Sequence, residues 1–228
     1  MIKETISKLN SELPSTVKLV AVSKFHPFEA IEKAYCAGQR IFAESRPQEL
    51  LAKVKHLEAI RQVRGEPDYM SDIEWHFIGH LQTNKLKMVL PYVALVQSVD
   101  SARLLDAIQK WGENNSCVIP VLLEPHVAAE ESKQGFSEDE IYRVLSIRET
   151  YPNICFKGIM GMATFTEDEA VVRSDFKSLR HIFDSCRKEY DLQDFTELSI
   201  GMSDDYPLAI EYGSTMVRIG SMIFGERA

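Results

Sequence analysis

The chain has 228 residues, 45% of them hydrophobic and 26% charged, with a formal net charge of −8. That much apolar sequence can bury a full core, and no low-complexity tract or Pro/Gly/Ser-rich linker divides it, so one domain over residues 1–228 is expected. An acidic chain without a Lys/Arg cluster lacks the footprint of a nucleic-acid binder, and no apolar run is long enough for a membrane span.

Residues 1–15 are polar and helical in pattern, with no apolar core or cleavage site of a secretion signal, so a cytoplasmic location is expected. A first strand-like run, 17–24, ends on Lys24. The next segment, 27–38, places Phe28, Ile31, Ala34 and Tyr35 on one helical face and offers Gly38 as a C-cap. A strand over 40–45 precedes a helix over 46–63, and strands over 74–79 and 94–100 follow. A helix over 101–115 begins after Asp100 or Ser101, both good N-caps, and is expected to end at Gly112. After a strand over 117–125, the pattern Ser137-x-x-Glu140 opens a helix over 137–152. A strand over 155–164 leads to the longest amphipathic stretch, 167–190, and strands over 197–203 and 216–225 complete the series.

The strand-like runs are almost continuously apolar, as parallel strands covered on both faces require. Eight of them alternating with helical stretches, after a leading helix, predict an α/β fold: a single (β/α)₈ TIM-type barrel. An open doubly wound sheet is the competitor, but no G-x-G-x-x-G follows the first strand, which removes the usual dinucleotide reading. The four cysteines are scattered, with no C-x-x-C pair, and read as reduced thiols.

Residues unusual for buried strands gather at the C-terminal ends of these runs. They are Lys24, Glu44-Ser45-Arg46, Gly79-His80, Thr164, Ser203-Asp204-Asp205, and Arg218 with Gly220-Ser221. In a (β/α)₈ barrel those ends converge on one mouth, where active sites sit. Lys24 would project there, either as a snorkelling lysine or as an amine made nucleophilic by partial burial. The small-residue turns at 199–203 and 219–221 follow adjacent strands seven and eight, the usual place for a phosphate pocket in this fold, although glycines also serve tight turns there. Arg218, inside an apolar strand, needs a partner: a carboxylate such as Glu211 or Glu226, or a ligand atom. His76 and His80 lack a nearby third metal ligand and read as hydrogen-bonded histidines. Asp204 and Asp205 read as caps of the last helix, and Trp75 and Trp111 as packing aromatics.

The segments 21–24 (AVSK), 42–49 (FAESRPQE), 75–85 (WHFIGHLQTNK), 98–101 (SVDS), 130–136 (EESKQGF) and 199–221 (SIGMSDDYPLAIEYGSTMVRIGS), with the closing IFGER, resemble the pyridoxal phosphate homeostasis proteins in order along nearly the whole chain. The resemblance implies a barrel like the N-terminal domain of alanine racemase and a fold-type-III pyridoxal 5′-phosphate (PLP) site, with Lys24 as the Schiff-base lysine. It implies that Ser199, Ser203, Gly220 and Ser221 surround the phosphate and that Arg218 faces the pyridine nitrogen. Val22, Ser45, Ile78 and Met202 are expected as further cofactor neighbours. The chain departs from the family pattern at Ser45, where asparagine is common, and at Glu124, Pro125 and His126; Lys133 matches the family's loop lysine.

The function expected from this resemblance is buffering or delivery of PLP, with apo PLP-dependent enzymes as recipients and no robust reaction of the protein's own. A racemase needs bases on both faces of the substrate carbon, and Lys24 is the one evident candidate; only three residues follow Gly225, so a racemase's second domain is not expected. The alternatives are a weak amino-acid racemase or other small fold-type-III PLP enzyme, and a barrel binding another phosphorylated metabolite without a covalent bond. A monomer or a homodimer is compatible with the sequence.

Overall fold

A computed structural model describes residues 1–127 and 135–225. The leading helix is present as α1 (Ile2–Glu12). After it come β1 (Lys18–Val22), α2 (Phe28–Cys36), β2 (Ile41–Glu44), α3 (Pro47–Arg64), β3 (Glu74–Phe77), a 3₁₀ turn (Thr83–Lys85), α4 (Leu86–Val89) and β4 (Leu95–Val99). The second half runs through α5 (Ala102–Asn114), β5 (Ile119–Leu123), α6 (Glu138–Ser146), β6 (Ile154–Met160), α7 (Glu169–Tyr190), β7 (Glu197–Ser199), α8 (Tyr206–Glu211), β8 (Met216–Ile219) and α9 (Ser221–Phe224). The strands close in sequence order, all parallel, with β8 returning to β1. The expected barrel is therefore the observed one, and among the described residues no helix is long and apolar enough to cross a membrane.

Alternation along each short strand divides the apolar residues into two cores. Val20, Val22, Ala43, Leu95, Leu122, Met160 and Met216 fill the barrel interior. Their neighbours, such as Leu19, Ala21, Phe42, Val96 and Val217, pack outward against the helices. Burial on both sides explains why the runs read as continuously apolar.

Several boundaries differ from the sequence reading, each for a local reason. The last run is not one strand: β8 stops at Ile219, and Gly220 caps the four-residue α9. The strands expected over 155–164 and 197–203 stop at Met160 and Ser199, and the remaining residues form mouth loops. Gly112 does not end its helix; α5 runs on to Asn114. A Cβ at Gly112 would lie 2.8 Å from Asn153 Cβ and 2.9 Å from the Cys117 carbonyl, so the glycine serves close packing there. Ser101 caps α5, its hydroxyl accepting from the Leu104 N–H, and Ser137 with Glu140 forms the expected capping box.

Candidate cofactor site at the barrel mouth

The register of the strands assembles the mouth. Val22 pairs with Ala43, and Ala43 with His76, all on the inward side. Two residues further along each chain stand Lys24, Ser45 and Ile78, all half-buried just past the strand ends, and Ile78 packs against the inner core. On the other side of β1, Val20 pairs with Arg218, which brings Gly220 level with Val22. A Cβ at Gly220 would lie 3.3 Å from both the Val22 Cβ and the Val22 carbonyl, so a side chain there would crowd this approach.

Ser203 and Ser221 come from the loops after β7 and β8, and their hydroxyls meet at 3.0 Å. In α9 the Ile223 and Phe224 N–H groups both donate to the Gly220 carbonyl at 2.9 Å, which leaves the Ser221 and Met222 N–H groups ahead of the first intrahelical bond. Together they make a donor-rich corner beside Gly220. Met202 is exposed on the same loop, and its N–H donates to Asp205 Oδ1 at 2.6 Å. Asp205 thus stands at the cap position of α8 but spends its carboxylate on its own turn, where the reading of the sequence had it capping the helix. Burial raises the Asp205 pKa, against the hydrogen bond from Met202 and the charge of Arg218.

Arg218 is 4% exposed, and its partners are carbonyls, not the expected carboxylates. Nη1 donates to the Ser199 carbonyl at 2.7 Å and to Ser199 Oγ at 2.8 Å, and Nη2 donates to the Gly161 carbonyl at 2.9 Å. Glu211 pairs with Arg173 on the surface instead, and Glu226 lies outside the described residues. Burial lowers the Arg218 pKa to about 10, opposed by the charges of Glu124 and Asp205. The guanidinium stays protonated at neutral pH and commits three of its five N–H donors to these oxygens.

Below the mouth, Ser199 is fully buried and its hydroxyl donates to Gln97 Oε1 at 2.7 Å. Gln97 Nε2 stands 2.8 Å from His76 Nδ1. Desolvation holds the His76 pKa down to about 3, so its imidazole is neutral. His80 Nδ1 stands 2.8 Å from Asp100 Oδ2, beside a cavity of about 800 Å³ lined by Thr83, Asn84, Ser101 and Arg103. Both histidines are hydrogen-bonded, and among the described residues no cluster of three His, Cys, Asp or Glu could hold a metal.

Not every strand-end polar residue joins this cluster. Glu44 follows the inward Ala43 and turns outward, where Lys53 Nζ lies 2.7 Å from its Oε1 and Ser23 Oγ lies 2.6 Å away. Arg46 stacks its guanidinium over the Phe25 ring at 4.5 Å. Thr164 donates its backbone N–H to Asp175 Oδ2 at 2.7 Å, next to a pocket of about 530 Å³ that Met162 and Met202 also line. Pro125 bridges to Phe136 and His126 is exposed; Lys133 lies outside the described residues. Sequence reasoning passed over Gln97, Glu49 and Lys53. A polar residue in an apolar strand and an i,i+4 acid–base pair were the available signals.

The donor set suits a pyridoxal phosphate. Two hydroxyls and helix-start N–H groups match a phosphate, a cation that keeps its proton matches a ring nitrogen, and a half-buried lysine matches an aldehyde.

The sequence matches the alanine racemase N-terminal domain family over residues 1–228. It is 36% identical over 224 residues to the pyridoxal phosphate homeostasis protein of Haemophilus influenzae, covering 98% of this chain and 91% of that one. It is 38% identical over 210 residues to the protein of that name from Aquifex aeolicus, covering 92% and 87%. The solved structure of PipY from Synechococcus elongatus PCC7942 with PLP bound superposes with a TM-score of 0.88 at 31% identity, covering 99% of this chain and 100% of that one.

Proposed function

The chain belongs to the alanine racemase N-terminal domain family, and we propose that within it this protein binds pyridoxal 5′-phosphate and serves its homeostasis. In this reading Lys24 holds the cofactor as a Schiff base, and the protein buffers PLP or delivers it to apo PLP-dependent enzymes without a robust reaction of its own. One observation supports the reading: the Ser203–Ser221 hydroxyl pair lies beside Gly220, two residues past the buried Arg218 cation, and the register sets Gly220 level with Val22, two residues before Lys24. Ser203, Ser221 and the backbone at Gly220 would hold the phosphate, with Met202 and Val22 beside them. Arg218, kept protonated, would face the pyridine nitrogen and donate to it, which weakens the ring as an electron sink. Ser199 would act through Arg218, since its hydroxyl accepts from that side chain. Bound PLP supplies an aldehyde that condenses with a free amine.

The test is mass spectrometry of PLP-saturated protein with and without borohydride, followed by mapping of the modified peptide. A phosphopyridoxyl adduct on Lys24, lost in Lys24→Ala while the barrel stays folded, is the expected result. An adduct elsewhere, or one retained in Lys24→Ala, overturns the assignment.

A weak amino-acid racemase or related small PLP enzyme is the second reading. The observation in its favour is the His80–Asp100 pair, an oriented imidazole on a mouth-side loop that offers a second base. Turnover of an L-amino acid into its D form, abolished in His80→Ala, would establish it.

A further inference from the structure

The turn that carries Lys24 is gripped on both sides by a single helix. The Ser23 carbonyl accepts from the His26 N–H at 3.1 Å, which closes a four-residue turn with Lys24 second and Phe25 third. Phe25 has φ 68°, and Lys24 is not among the positive-φ residues. A positive φ at the third position alone is the type II pattern, which favours glycine there. A phenylalanine persists in it only where the surroundings over-determine the backbone.

Those surroundings come from α3. Lys53 Nζ donates to the Ser23 carbonyl at 2.9 Å, ahead of Lys24. Glu49 Oε1 accepts the Phe25 N–H at 2.6 Å, behind it. Lys53 joins Glu49 at 2.7 Å and the fully buried Glu44 at 2.7 Å, so all three of its N–H groups have acceptors. Glu44 also takes the Ser23 hydroxyl at 2.6 Å. His26 stacks on Phe224 of α9, ring centroids 5.1 Å apart, which ties the same turn to the helix beside Ser221.

We propose that Glu49 and Lys53, backed by Glu44, are positioning residues for the Lys24 amine, holding its turn in the strained conformation from which the amine reaches an aldehyde at the barrel mouth. The proposal rests on the reading of Lys24 as the Schiff-base lysine. In that step Lys24 Nζ adds to the aldehyde carbon, C=N replaces C=O, and the oxygen departs as water with the two amine protons. A misaimed amine loses this bond and leaves phosphate and ring contacts intact.

The two contributions separate with two probes: PLP, and pyridoxine 5′-phosphate, which carries an alcohol in place of the aldehyde. In Glu49→Ala, PLP affinity is expected to fall about tenfold while pyridoxine 5′-phosphate affinity stays within about twofold. Glu49→Gln keeps an oxygen acceptor for the Phe25 N–H and is expected to recover most of the loss. Lys53→Met is expected to repeat the selective loss; if it does not fold, the Glu49 pair decides. Equal weakening of both ligands, or no change in either, overturns the positioning role. A Lys24 adduct in the wild type, undiminished in Glu49→Ala, overturns the clamp alone. Absence of a Lys24 adduct in the wild type overturns the Schiff-base reading and the clamp with it.

Discussion

Gln97 Nε2 stands 2.8 Å from His76 Nδ1, and this contact sets the direction of every hydrogen bond from there to Arg218. The Gln97 amide nitrogen can only donate, so the neutral His76 accepts at Nδ1 and carries its proton on Nε2. The Gln97 oxygen then accepts the Ser199 hydroxyl, whose own oxygen accepts from Arg218. The buried guanidinium is therefore held by an ordered chain of neutral groups across the barrel interior, and among the described residues no carboxylate forms a salt bridge with it.

The first prediction concerns acid stability. The His76 pKa is depressed from 6.5 to about 3 in the folded state. Its contribution is complete above the unfolded value and is lost as pH falls towards the folded one, because the unfolded chain binds the extra proton. Glu44, raised by burial, works in the opposite direction. His76→Gln removes the first effect and leaves the second. Between about pH 6 and pH 4, wild-type stability should fall more steeply than that of His76→Gln by roughly 1 kcal/mol per pH unit. Urea unfolding across that range measures it, and parallel curves would refute it.

Arg218 provides the second. Arg218→Met keeps an unbranched stem but ends before the guanidinium, so Ser199 and Gly161 lose their Arg218 donors. PLP affinity should fall by about tenfold or more, since a charge-assisted hydrogen bond contributes roughly 1.5–3 kcal/mol. An absorbance titration giving unchanged affinity would remove Arg218 from the site.

The Ser203–Ser221 corner is the third. If these hydroxyls serve the phosphate, the double variant Ser203→Ala/Ser221→Ala should weaken PLP and leave unphosphorylated pyridoxal unaffected. Each lost hydroxyl should cost about 1 kcal/mol, or roughly fivefold. Equal losses for both ligands would place the phosphate elsewhere.

Gly79 gives the fourth. A Cβ there would fall well inside contact with the Ser45 carbonyl, which is backbone and has no rotamer to yield. Gly79→Ala should force the loops after β2 and β3 apart, at about 1–3 kcal/mol in thermal stability. PLP affinity should fall alongside, because Ser45 and Ile78 flank that contact. A variant with wild-type melting and binding would show that the loops relax freely.

The polar turns also show how much of the site was legible. Lys24, Ser203 and Ser221 stand out because small or charged residues end apolar runs, and barrel topology carries such ends to one mouth. Arg218 stood out as a charge inside an apolar strand, yet its partners did not. Backbone carbonyls carry no sequence signature, so a carboxylate was the natural expectation. Glu44 looked like a mouth residue until the pleat turned it outward to Lys53.

The sequence by itself determined the number and order of the strands, the leading helix and the caps at Ser101 and Ser137, while closure of the sheet into a barrel, favoured over an open sheet, is seen in the structure. These follow from local periodicity and from the need to cover both faces of parallel strands. Only the tertiary structure decided which polar side chains meet. Gln97 and Ser199 are 102 residues apart in sequence and touch because the sheet closes. Lys53 reaches Ser23 because α3 packs over the end of β1. Short-range patterns fix which face a residue takes along its own strand, whereas the register between strands, set by closure of the whole barrel, fixes its partner.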